Sequence, residues 1–284
     1  MITDPGEVAA VLDGTGLAGL PVTHGLDGTL VVSGIDPAGL LDAWRAAHAL
    51  VPLTGRWPVL IATDPDDDAL LDPDPEPDPI HPPADELADL DRAARTTDPW
   101  PFFEKGPPQV YTADRAWFVG SGHGVDLTAE LRRHVAFPAP GSVLQRWMFD
   151  RVSADPELVA EVRRHTRYAV RTDCWFVPKA VAVLLLPTAS PWLAPAWVEY
   201  HRAPGHDREL AAALWQWHHR WDAHLVACWD TMLQFVVHRP PGPGEAAFEL
   251  AGQLLDVATH LELHQWELAT VLPEGTAWFL HSRP

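Results

Sequence analysis

Apolar residues recur at helical spacing in the stretch that leads up to Trp221. Leu210, Leu214, Trp217 and Trp221 fall at i, i+4, i+7 and i+11, one face of a 3.6-residue helix, and Ala213 widens the stripe. Arg208, Trp215, His219 and Asp222 lie on another face, where Trp215 and His219 are i, i+4 neighbours. The period then changes. Val226, Trp229, Phe235, Val236 and Val237 are strand formers, and they predict strands near 223–229 and 232–238 with Asp230-Thr231 at the turn. On the second strand Leu233, Phe235 and Val237 form the apolar face, and Met232, Gln234, Val236 and His238 the other. The turn carries no Asn-Gly signal, so the register of the first strand stays open. A one-residue slip exchanges the faces of His224 and Cys228.

The same reading along the chain predicts four regions. Residues 1–63 form an N-terminal α/β unit: a helix over Pro5–Leu12, a strand over Thr29–Ser33, a helix to about Leu50 and a strand over Trp57–Ala62. Asp36 is an N-cap with Pro37 at the first helical position, and strand–helix–strand at this length implies a βαβ unit with parallel strands. Residues 64–100 are an acidic, proline-rich linker followed by a short helix at Asp85–Arg95. Residues 101–173 are a mixed helical connector. In it Ala116–Val119 reads as a strand and Gly120–Gly124 as a flexible loop, with helices over 126–134, 142–149 and 156–168. Residues 174–284 form a C-terminal domain with strands at Ala180–Leu186 and Thr276–His281 outside the hairpin, and a second long helix at Glu245–Val257. The order β-α-β-β-α-β predicts an α+β fold with a ferredoxin-like antiparallel sheet layer, two helices on one face and an open face that packs on the N-terminal unit.

Charge narrows the partners. The net charge is −19, and Asp64–Asp91 holds twelve acidic and no basic residues, leaving −7 for the rest. No basic stripe exists for a phosphate backbone or an anionic membrane surface, so neither nucleic acid nor a membrane is expected. Two cysteines, Cys174 and Cys228, make neither a disulfide framework nor a CxxC site. The first residues lack a basic leader with an apolar run, and the protein is expected to be soluble and cytoplasmic.

Candidate chemistry is sparse. His260, His264 and Glu267 would share one helical face at i, i+4 and i+7, a metal-ligand spacing without the HExxH order. His218, His219 and His224 form a second group, but His218 and His219 point about 100° apart on a helix. Neither cysteine sits in a nucleophile motif, and the glycine loop before Asp126 lacks the Walker lysine and the GxGxxG spacing. Asp64, Asp66 and Asp68 lack the turn glycine and closing glutamate of a calcium loop. Nine of the 14 tryptophans lie between Cys174 and Pro284. Trp215, His219, Trp229, Asp230, Gln234 and His238 are the candidate surface for a partner or ligand. The resulting expectation is a non-catalytic binding protein with no cofactor, whose acidic surface serves a basic, immunity-type protein partner. Two alternatives stand beside it: a histidine-dependent, metal-assisted hydrolase, and a small-ligand or saccharide binder that stacks on Trp.

The blocks VAVLLLPTASP (181–191), W-x-W-x(3)-W-x(2)-H-L-V-A-x-W-D-T-M-L-Q-F-V-V (215–237), Arg239-Pro240-Pro241 and W-F-L-H-S-R-P (278–284) resemble the bacterial domain-of-unknown-function family numbered 4253. The resemblance covers the C-terminal 110 residues or so, with a weaker echo at TGRWPVLI (54–61). It implies an actinobacterial type of source and a domain boundary near Cys174, and it transfers no catalytic residue.

Overall fold

The computed structural model describes residues 1–63, 84–103 and 109–282. The expected acidic linker over 64–83 and the last two residues of the terminal block lie outside the described residues. Seven strands form one mixed sheet: β1 (Val22–His24), β2 (Leu30–Ile35), β3 (Trp57–Ala62), β4 (Val181–Leu186), β5 (Ala223–Cys228), β6 (Met232–Val237) and β7 (Ala277–His281). Their order is β1-β2-β4-β3-β5-β6-β7. The longer helices are α1 (Pro5–Leu12), α2 (Leu40–His48), α3 (Ala84–Thr96), α4 (Thr128–His134), α5 (Gly141–Ser153), α6 (Pro156–Thr166), α7 (Asp207–Trp221), α8 (Glu245–Val257) and α9 (Gln265–Val271). Among the described residues no helix is long and apolar enough to cross a membrane.

Two compact units make up the chain: Met1–Pro99 with Trp175–Val236, and Trp100–Cys174 with Val237–Pro284. The first joins the predicted N-terminal α/β region to the first half of the predicted C-terminal domain. Its core is the strand stack. β4 pairs antiparallel with β2 on one side (Leu30 opposite Leu185) and with β3 on the other (Val59 opposite Leu184), and β3 runs parallel to β5 at Leu60 and Ala227. The α+β class holds, but the ferredoxin-like order does not form, because β3 stands between β4 and β5. The physical reason lies in the strands themselves. Every residue of β4 and β5 is buried, as is most of β3, so these strands are covered on both faces and the expected open face is absent from them. Helix α7 buries Leu210, Ala213, Leu214, Trp217 and Trp221, the predicted stripe, and packs against α3 and the turn Pro191–Ala196. Arg56 is fully buried at the head of β3, where its guanidinium donates to the carbonyls of Ile2 (2.6 Å), Gly28 (2.9 Å) and Leu185 (3.1 Å).

In the second unit α9 is the centre. Trp266 through Val271 are all buried, and α9 packs against α5, α6 and α8. The expected strand at Ala116–Val119 is instead a helical turn, Trp117–Gly120, that follows a 3-10 turn at Ala113–Arg115. Trp117 and Phe118 stack on each other at 3.8 Å and stay exposed, so this apolar run does not line a ladder.

Candidate metal centre

Helix α7 ends at Trp221. The next residue, Asp222, is left-handed (φ 50°, ψ 44°) and its N–H donates to the His218 carbonyl at 2.9 Å. Asp is among the few non-glycine residues that adopt this conformation at small cost. The reversal starts β5 against the end of its own helix and brings His224 back beside His218. The two imidazoles lie 5.1 Å apart, centre to centre, with an interplanar angle of 29°. His224 Nε2 stands 3.0 Å from Asp222 Oδ1. One ligand atom from each of His218, Asp222 and His224 lies within 4.8 Å of the other two, the one such group among the described residues.

Aromatic side chains wall this group. The Trp57 ring meets His224 edge-on at 5.2 Å, and Trp44 lies at 6.5 Å. Both indoles are anchored: Trp44 Nε1 donates to the Pro58 carbonyl (2.9 Å) and Trp57 Nε1 to the Leu225 carbonyl (3.3 Å). Trp192 sits 5.4 Å from His218. His224 is buried, whereas His218 and Asp222 are half-buried. Two neutral imidazoles and a carboxylate are a donor set for a zinc-class divalent ion, and an apolar wall on one side limits water and orients the rings.

Of the predicted histidine group, His218 and His224 converge and His219 does not. Its Nδ1 donates to the Trp215 carbonyl at 2.9 Å and its ring lies 4.2 Å from Trp215. The predicted binding surface does not assemble on one solvent face. Trp229 and Gln234 are buried, and Gln234 Nε2 donates to the Phe176 carbonyl at 2.8 Å. Asp230 is exposed in the hairpin turn with φ 57°, Trp215 is half-buried, and His238 is exposed.

His260, His264 and Glu267 are not on one helical face, because α9 begins only at Gln265. His260 lies in a turn, with its Nδ1 2.8 Å from Thr259 Oγ1. Glu267 is buried and its carboxylate is engaged by the backbone. Oε1 accepts the His123 N–H (2.6 Å) and faces His123 Nδ1 (3.0 Å), and Oε2 accepts the His264 N–H (2.8 Å). His264 Nε2 donates to the Ser121 carbonyl at 3.2 Å, and burial, outweighing the nearby carboxylate, holds its pKa below the ordinary histidine value. Glu267 therefore splices the hairpin Ser121–Asp126 to the start of α9. The thiols are poor nucleophiles. Desolvation, then the Asp173 carboxylate, push Cys174 up, and burial pushes Cys228 up to about 12.

Asp222 was missed by pattern reading. An aspartate after the last helical turn, followed two residues later by His, is the local signal that could have found it.

Compared with known families, residues 182–281 match the model of the family described as Domain of unknown function (DUF4253). The match takes in His218, Asp222 and His224. No curated protein and no solved structure matches the chain.

Proposed function

We propose that this is a metal-binding protein whose centre, His218–Asp222–His224, holds one zinc-class divalent ion. The observation that carries the reading is the convergence of three ligand atoms of the right kinds within 4.8 Å, produced by the left-handed turn at Asp222. Support comes from the setting as well. The imidazoles are held by anchored indoles, and pre-positioned ligands lose little freedom when an ion binds. Three protein ligands leave one tetrahedral position. Water there would give a hydrolytic centre, and a fourth side chain would give a structural one.

The test is native mass spectrometry and elemental analysis of untagged protein, followed by zinc titration of chelator-treated protein. The expected result is one ion per chain, lost in a His218→Ala/His224→Ala double variant. Protein that retains no metal and takes up no zinc at about 100 μM would overturn the reading.

A further inference from the structure

We infer a second chemical site, independent of the metal centre, in the unit formed by Trp100–Cys174 and Val237–Pro284: His123 is a general base for the hydrolysis of small aryl esters, and Glu267 is its positioning residue. His123 sits at the tip of the hairpin Ser121–Asp126, where Ser121 pairs with Asp126 and Gly122 with Val125. Its backbone N–H (2.6 Å) and its ring Nδ1 (3.0 Å) both meet Glu267 Oε1. A carboxylate oxygen accepts, so Nδ1 carries the proton and the basic nitrogen of the neutral ring is Nε2. The backbone contact alone would fasten the hairpin. The contact on the ring does something further, because it sets the tautomer and the direction of the imidazole. Among the described residues no other hydrogen bond reaches this ring. The His123 side chain is 40% exposed and that of Glu267 only 1%. A buried carboxylate behind a partly exposed imidazole is the arrangement of a base with its orienting group.

The tip of the hairpin is wedged from both sides. A Cβ on Gly122 would stand 2.6 Å from Trp266 Cζ2, and one on Gly124 would stand 2.5 Å from His165 Cδ2. The turn is therefore gripped between α9 and α6, and His123 has little freedom to leave Glu267. Tyr168, in the 3-10 turn Arg167–Val170 after α6, sets its exposed ring edge-on to the imidazole at 6.4 Å and 65°. The other titratable groups beside the tip are His264 at the N-cap of α9, the His165–Glu161 pair on α6 (3.0 Å), and Glu262, whose charge acts on Tyr168. On the hairpin itself Asp126 is turned to the Thr128 N–H at 2.9 Å. The exposed phenol ring is what favours an aryl substrate, whose own ring can lie against Tyr168 with the ester carbonyl next to the imidazole.

The step balances without a further reactant. Nε2 takes a proton from a water as the water oxygen bonds to the ester carbonyl carbon, and Glu267 meets the positive charge that forms on the ring. Collapse of the tetrahedral intermediate breaks the bond to the aryl oxygen, and the proton on Nε2 passes to the departing phenolate. One ester and one water give one acid and one phenol, and the imidazole returns to its starting state.

Hydrolysis of p-nitrophenyl acetate by the untagged full chain in excess chelator tests this, read as p-nitrophenolate released above the buffer rate. The wild-type rate should rise with pH as the imidazole gives up its proton. His123→Gln should lower kcat about a hundredfold, whereas the same change at His24, an exposed histidine on β1, should leave it unaltered. Glu267→Gln should lower kcat about tenfold or more with KM unchanged. A wild type no faster than His123→Gln overturns the proposal, as does an equal loss in His24→Gln. Hydrolysis seen only without chelator belongs to the metal centre and overturns this site while leaving that one standing. Circular dichroism monitors folding, and a folded Glu267→Gln with wild-type kcat removes the positioning role. Should Glu267→Gln unfold, carbethoxylation of native wild type by diethyl pyrocarbonate, mapped by peptide mass spectrometry, replaces it. His123 should then react severalfold faster than His24, and equal rates overturn the proposal.

Discussion

Asp222 does two jobs, and the jobs separate by substitution. It turns the chain with a positive φ and it supplies a carboxylate. Asn tolerates the left-handed region, so Asp222→Asn should keep the melting temperature of the metal-free protein and still lower zinc affinity by about tenfold or more. Asp222→Ala should show the same loss of affinity and an added destabilisation of about 1 kcal/mol from the strained backbone. Calorimetric zinc titration and thermal melts of both variants check this, and equal melting of the two would remove the turn from the account. The thiols give a second expectation. With Cys228 raised to about 12, only about one thiol in ten thousand is ionised at pH 8. Ellman's reagent should therefore spare Cys228 in the native protein and react with it only after denaturation, while Cys174, which is exposed, reacts slowly. Rapid reaction of two thiols in native protein would contradict this.

At the scale of elements, what was legible was what is periodic or capped. The stripe of α7 and the span Glu245–Val257 follow from local pattern, because each buries one face at helical period, and the strand Trp57–Ala62 follows from its short continuous apolar run. What was not legible is who sits beside whom. A continuously apolar strand such as β4 reads as buried, but no local signal says that β3 rather than β5 lies against it. The candidate centre has the same character. The 100° separation of His218 and His219 was readable, whereas the return of His224 depends on the left-handed backbone at Asp222. Ala116–Val119 failed for another reason: a run with only three strand formers, Trp117, Phe118 and Val119, is too short to fix a strand and takes a helical turn instead. The glycine loop shows how a small residue can be an element-level constraint. A Cβ at Gly122 would stand 2.4 Å from Glu267 Oε1 and 2.6 Å from Trp266 Cζ2, both on buried side chains at the start of α9. Gly122→Ala should destabilise the protein by about 1–3 kcal/mol, read as a lowered urea midpoint. An unchanged midpoint would show that Glu267 does not hold the hairpin as described.

For the molecule as a whole, an ion bound only by the folded state adds to stability by mass action. At free zinc about a hundred times the dissociation constant the gain is about 2.7 kcal/mol, which for a unit of this size raises the melting temperature by about 5–10 °C. Chelation should remove that increment, added zinc should restore it, and the His218→Ala/His224→Ala variant should show neither response. A melting curve indifferent to chelator in the wild type would contradict a metal bound in the native state.

The place of β3 in the sheet has a consequence for the nascent chain. Trp57–Ala62 leaves the ribosome early, yet both of its neighbours, Val181–Leu186 and Ala223–Cys228, lie far downstream. At synthesis rates of about 5–20 residues per second, the strand waits about 6–25 s for its first partner. Throughout that interval a six-residue apolar segment with both edges bare is on offer to any passing strand, which makes the growing polypeptide a natural client for chaperones.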